Sequence, residues 1–220
     1  MKQQDKLKES LLRFLHDLFD LMVINWLFLL CSLPVLTVGP AACGLYTVTL
    51  KLARQEPVNP LKDFFRGFKE NLKPGFLLGL LALVLAAAAA GDFWLTFHLL
   101  GWLKGLYTVV AILVAVLGLI VISYAFALQA MFDNPLKVQL LNAFKLAVVA
   151  PGKTVCLWLI LLIPVAAALL LPPVVLQMLG FLYLVAGISG PVYWASHILR
   201  GIFDRVNGAP VVPAPPTSEE

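Results

Sequence analysis

The sequence predicts an all-α protein that threads a membrane several times, and three observations predict it. The first is composition. Of 220 residues, 61% are hydrophobic and only 13% charged, with a mean hydropathy of +0.93. Soluble domains carry about 45–50% apolar and about 25% charged residues, so the solvent implied here is lipid. The second is the spacing of charges. Residues 21–50, 74–91, 105–132 and 154–199 contain none, giving runs of 30, 18, 28 and 46. A helix crosses the hydrocarbon with about 20 residues. The third is the placement of lysine and arginine, which gather in the segments between those runs.

Along the chain, the polar leader comes first. Leu7, Leu11, Phe14, Leu15 and Leu18 share one helical face, which predicts an amphipathic helix lying in the membrane interface. The apolar stretch that follows lacks a clean small-x-small cleavage site and is read as a retained helix. The 30-residue run is long for one span and short for two, and Pro34 and Gly39-Pro40 interrupt its centre. The alternatives are one span over 18–38, or two short spans over 18–33 and 37–52.

Charge placement decides between them. With six spans and both ends cytoplasmic, fifteen of the 16 Lys and Arg residues lie inside and one, Lys104, outside. With five spans the best orientation leaves eleven inside and five outside. Cytoplasmic flanks are enriched in Lys and Arg, so six crossings are expected. The 46-residue run then folds back at Pro172-Pro173, as a hairpin of Leu157–Leu171 and Val174–Ser196.

An internal repeat fits this layout. Asn59-Pro60-Leu61-Lys62 recurs as Asn134-Pro135-Leu136-Lys137, and Phe68-Lys69 as Phe144-Lys145. Pro74-Gly75 and Pro151-Gly152 open the following spans. Asn suits an N-cap and Pro the first helical position. In the first copy Leu61, Phe64, Phe65, Phe68 and Leu72 form one face, with Lys62, Arg66, Lys69, Glu70 and Lys73 opposite. Such a helix lies flat with its basic side toward anionic headgroups at the cytoplasmic face. The expected architecture is a single membrane-embedded domain over 1–207, built as three hairpins each preceded by an interfacial helix. The Pro-rich end, 208–220, is expected to be a disordered cytoplasmic tail.

No phosphate loop, H-E-x-x-H pair or nucleophile elbow is present. Cys31, Cys43 and Cys156 lack metal-ligand spacing, and His16, His98 and His197 lie far apart. The chain is therefore not expected to be an enzyme, nor to hold a metal or cofactor, nor to bind nucleic acid. Polar groups within spans are costly, and they are the default candidates for function. Asp20, Asn25 and Gln129 qualify, with Asn25 deepest. An interhelical hydrogen bond and a substrate contact are both open readings for Asn25. The Gly39-Pro40 and Gly190-Pro191 steps join them, because broken helices expose backbone groups that transporters use for binding. Phe93, Trp94, Phe97 and Trp102 mark the outer loop 91–104 as an aromatic belt or a sugar-stacking cleft.

Asn25-Trp26, Ser32-Leu33-Pro34, Thr37-Val38-Gly39-Pro40 and Leu45-Tyr46, then Asp63-Phe64-Phe65 with Phe68 and Asn71, resemble the YesL family of bacterial integral membrane proteins. The resemblance covers roughly residues 8–205. It implies a bacterial plasma-membrane protein, often encoded beside genes for carbohydrate uptake and breakdown, with no established activity and no agreed functional residues. It also implies about five spans, whereas charge placement here gives six. The functional expectation is an accessory or small-solute transport component linked to carbohydrate use, with other membrane transport subunits as partners. The alternative is a non-transporting scaffold or regulatory subunit.

Overall fold

In the computed structural model, which describes residues 2–98 and 102–206, ten α-helices run in succession and no strand occurs among the described residues. They are α1 (Lys2–Cys31), α2 (Val38–Ala53), α3 (Pro60–Glu70), α4 (Leu72–His98), α5 (Trp102–Ile120), α6 (Phe126–Met131), α7 (Leu136–Val149), α8 (Pro151–Leu170), α9 (Pro173–Ala186) and α10 (Ser189–Val206). Residues 207–220, including the expected tail, lie outside the described residues.

Four helical stretches are long and apolar enough to cross a membrane alone: Ser10–Cys31, Val35–Ala53, Leu72–Thr96 and Trp102–Met131. Two bent pairs raise the total to six. In one, α7 meets α8 at 107°; in the other, α9 meets α10 at 50°. The chain is thus an all-α bundle with four to six candidate spans. The side chains on its outside are apolar: Leu80, Val84, Ile112, Leu113, Leu159 and Phe181 all stand exposed, as lipid-facing positions do.

The opening run does fold into two helices. Ser32–Pro34 makes the turn, a 3-10 turn over Val35–Thr37 follows, and the Thr37 hydroxyl donates to Pro34 O at 2.7 Å. Four expectations are corrected. The N-terminal amphipathic stretch is not a separate interfacial helix, because nothing between Leu7 and Leu18 breaks the helix; α1 is continuous over 30 residues. The eighth helix starts at Pro151, where the Pro-Gly step of the repeat opens a span, and so begins before the Leu157 bound of the expected hairpin; proline is at home in a first turn. The expected Val174–Ser196 leg is divided at Gly187-Ile188 into α9 and α10. Most of the expected outer loop 91–104 is helix, continuing α4 to His98 and opening α5 at Trp102; residues 99–101 lie outside the described residues.

The hub is α2, which packs on α1, α3, α4, α6 and α10. Its core residues Ala41, Cys43, Leu45, Val48 and Leu50 are at most 3% exposed. Small residues permit this. A Cβ added at Gly39 would stand 2.0 Å from Gly75 O, and one added at Gly79 would stand 3.1 Å from Gly39 Cα. Gly75 and Gly79 are a Gly-x-x-x-Gly step on α4, the spacing that lets two helix backbones touch where lipid offers no hydrophobic driving force. On the other side of α2, Gly44 lies against Phe64 O and Gly67 against Thr47 and Gly44.

That contact corrects the reading of α3. The face it buries is Asp63, Phe64 and Gly67, directed at α2, while Leu61 and Phe65 remain 53% and 38% exposed. Periodicity counts apolar residues and so misassigns a face built from a glycine and a paired carboxylate. Leu61 and Phe65 then flank the exposed Lys62, Arg66 and Lys69, so α3 still presents an apolar strip beside a basic one.

Three chain ends share one end of the bundle. Arg54, after α2, pairs with Asp204 of α10 at 3.2 Å, and its Nη2 lies 3.8 Å from Met131 Sδ at the close of α6. Arg200 also donates to Ala53 O.

Candidate functional site

The break between α9 and α10 leaves backbone groups without their helical partners. In a bilayer each such group costs several kcal/mol unless the protein satisfies it. Asn25, on α1 and fully buried, does so. Its Nδ2 donates to Tyr183 O at 3.2 Å and Leu184 O at 3.0 Å, which are carbonyls at the end of α9. Its Oδ1 accepts the N–H groups of Ile188 and Ser189, both at 3.1 Å, at the start of α10. One amide from a distant helix therefore caps two helix ends at once. Of the two open readings for Asn25, the geometry is that of an interhelical hydrogen bond.

Gly190 and Pro191 sit just inside α10, where a proline's missing N–H is no loss. Gly39 and Pro40 occupy the same two positions inside α2. Both Gly-Pro steps thus open helices. Only the second adjoins Asn25, while Gly39 and Pro40 press on α4. Ser189 is fully buried, and its hydroxyl has no hydrogen-bond partner among the described residues.

Gln129 belongs to a second polar cluster. Its Nε2 donates to Asn71 Oδ1 at 3.0 Å, and Gln139 Nε2 donates to Gln129 Oε1 at 3.3 Å and to Phe132 O at 3.1 Å. Asn71 in turn donates to Gly67 O at 2.9 Å. All three amides are buried, and together they tie the end of α3 to α6 and α7. Asp20 lies apart from both clusters. It is 3% exposed, and its Oδ2 faces the Nδ1 of His16, one turn earlier on α1, at 3.3 Å.

Further contacts involve residues that no sequence signal singles out. Ser196 of α10 donates to Thr49 of α2 at 2.9 Å. Tyr124 and Thr154 hydroxyls lie 2.8 Å apart, and Thr154 also donates to Ala147 O at 3.1 Å across the α7–α8 bend. Tyr124 stands in a π-helical turn, Val121–Ala125, that interrupts the span from α5 to α6. Such turns carry an extra residue per loop and re-aim side chains.

Outside the spans, Asp63 holds the α2–α3 corner. Its carboxylate takes Lys51 Nζ at 2.9 Å, Arg66 Nη2 at 3.1 Å and the Asn59 N–H at 3.0 Å. Burial alone would raise the pKa of this carboxyl. The Asn59 amide and the Lys51 and Arg66 charges outweigh it, and hold the group below the ordinary aspartate value. Asn59 Oδ1 caps Lys62 N at 3.0 Å, as the repeat motif predicts.

Among the described residues no three His, Cys, Asp or Glu side chains gather as a metal site would require. Chemically, the arrangement ties helices together. The amide clusters cross-link elements far apart in sequence, and the Gly-Pro steps set where helices begin.

A family model described as "Protein of unknown function, DUF624" matches residues 21–93. That stretch runs from the body of α1 through α2 and α3 into α4, and it contains Asn25, Gly39, Asp63, Gly75 and Gly79. No curated protein and no solved structure matches the chain.

Proposed function

We propose that this multi-pass membrane protein serves solute uptake as an accessory subunit, with the conducting path supplied by a companion. The observation that carries the reading is Asn25. The deepest amide of the bundle gives both donor contacts and both acceptor contacts to its own backbone, leaving no bond for a passing solute. Gln129 and Asn71 each give one donor and one acceptor contact to the protein as well. A polar solute needs partners along its route, whereas a subunit that positions other chains needs a stiff, cross-linked body.

The YesL resemblance supplies the setting: a bacterial plasma membrane and a link to saccharide use. Positive-inside counting supports a cytoplasmic placement of α3, α7 and both chain ends. Their basic residues then face anionic headgroups.

Three measurements test this. Deletion in the native host is expected to lower uptake of the labelled saccharides handled by neighbouring genes. Purification in mild detergent is expected to recover a membrane companion. Proteoliposomes holding the purified chain alone are expected to take up no saccharide. Concentrative or facilitated uptake by that chain alone would overturn the accessory reading, and unchanged uptake of every saccharide in the deletion strain would remove the link to sugars.

A further inference from the structure

The two copies of the Asn-Pro-Leu-Lys repeat part company at their first residue. Asn59 caps α3. Asn134 does not cap α7: Pro135 occupies the cap position, and no side chain bonds the first amides of that helix. Asn134 stands one residue before that cap. It lines a cavity of about 360 Å³ bounded by α6, α7 and α10, with Leu128, Phe132 and Phe203 among its apolar walls. Asn142 and Lys145 bring the remaining polar groups, and no carboxylate lines the cavity. Lys145 makes no ion pair among the described residues. The nearest acid along α10, Asp204, is engaged by Arg54.

We propose that this cavity binds the glycerol-phosphate region of an anionic phospholipid. A lone cation beside two amides suits a phosphate, and the lining itself holds no acid to receive the cationic group of a zwitterionic headgroup. The apolar walls are poor partners for a polyol, which needs many hydrogen bonds, and good ones for the start of an acyl chain. The cavity is too small for a whole lipid. Beside it, α7 exposes Val138, Leu141, Phe144 and Val148 as one stripe, along which the chains continue. Because α7 turns 107° from α8, that stripe lies across the direction of the neighbouring span, as an interfacial helix does. The cavity also sits at the end of the bundle where Arg54, Met131 and Asp204 meet, since Phe132 packs on Phe203 with ring centres 6.1 Å apart.

The test uses the full chain in neutral detergent, titrated with phosphatidylglycerol or phosphatidylcholine. Bound lipid is counted by native mass spectrometry and the unfolding temperature is followed in parallel. Phosphatidylglycerol is expected to bind and to raise the unfolding temperature; phosphatidylcholine is not. Lys145→Gln is expected to weaken phosphatidylglycerol binding about fivefold, the effect of one interfacial cation. Asn134→Ala is expected to weaken it too, with the lipid-free unfolding temperature kept. Lys104→Gln, an exposed lysine of α5 that does not line the cavity, is expected to leave binding unchanged. Equal binding of both lipids would overturn the proposal. So would unaltered phosphatidylglycerol binding in Lys145→Gln and Asn134→Ala, or competition by inorganic phosphate at the same concentration as the lipid.

Discussion

Asn25 Oδ1 and the backbone N–H of Ser189 meet at 3.1 Å, joining two helices from opposite ends of the chain. That bond is one of four through which a single amide bridges the α9–α10 break. Asn25→Leu keeps the side-chain volume and removes every one of them. The expected loss is about 2–4 kcal/mol, because Leu184 O and the N–H groups of Ile188 and Ser189 lose their partner away from water, while Tyr183 O keeps the Gly187 N–H. Asn25→Asp keeps the acceptor but turns a carboxylate oxygen on the Tyr183 and Leu184 carbonyls in a fully buried site, so it is expected to cost at least as much. Unfolding in detergent micelles measures both. An Asn25→Leu protein as stable as the parent would mean that water or a neighbour satisfies the break instead.

Gly39 and Gly91 make a matched pair for testing the α2–α4 crossing. At Gly39 a methyl group would collide with Gly75 backbone, while at Gly91 it meets nothing within 4 Å. Gly39→Ala must separate the two helices, and is expected to cost about 1–3 kcal/mol. Gly91→Ala is expected to be neutral or to stabilise by up to about 1 kcal/mol, through helix propensity. Equal effects at the two positions would show that the backbones do not touch.

Asp63 makes the α2–α3 corner sensitive to acid. Its folded-state pKa lies below the ordinary aspartate value, so its contribution is fully present above that ordinary value, about 3.9, and is lost as pH falls through the lower folded one. Unfolding temperature is therefore expected to drop as acid protonates the carboxylate. Asp63→Asn is expected to lower stability at neutral pH and to flatten that acid-side slope. A slope unchanged in Asp63→Asn would assign the acid sensitivity to another group.

Much of the fold is legible in the sequence, because lipid forbids charges over long stretches and turns demand Pro or Gly. The uncharged runs locate the spans, Pro172-Pro173 marks the α8–α9 turn, and Asn59-Pro60 starts α3. The candidate site is legible only by residue type. Asn25 is conspicuous as an amide deep in an apolar run, and Gly190-Pro191 as a break within one, but nothing local says that one serves the other. Their meeting depends on how α1 packs against α9 and α10. Gln139 escapes notice for a similar reason: it lies in a segment flanked by Lys137 and Lys145, where an amide reads as surface, yet it is buried. The continuity of α1 is hidden by its own amphipathicity, since a pattern that shifts from amphipathic to apolar looks like two elements.

The ends of α2, α6 and α10 converge on Arg54, and this fixes relative sidedness without counting charges. Leaving α2 at Ala53 and closing α6 at Met131 returns the chain to the same side, so α4 and the α5–α6 leg make one outward and one return passage. From Met131 to Asp204 the chain returns again, through the bent α7–α8 and α9–α10 pairs, each long and apolar enough to count as one candidate span. Single cysteines introduced as Glu56→Cys and Asp133→Cys, in a background lacking Cys31, Cys43 and Cys156, are expected to react from one side of the membrane only. Trp94→Cys is expected to react from the other. With the lysine-rich side facing the cytoplasm, as proposed above, the first two resist an impermeant maleimide in intact cells until the cells are opened, and the third reacts at once. Labelling of Glu56→Cys and Asp133→Cys from opposite sides would leave an odd number of passages between them, which the Arg54–Met131 contact forbids.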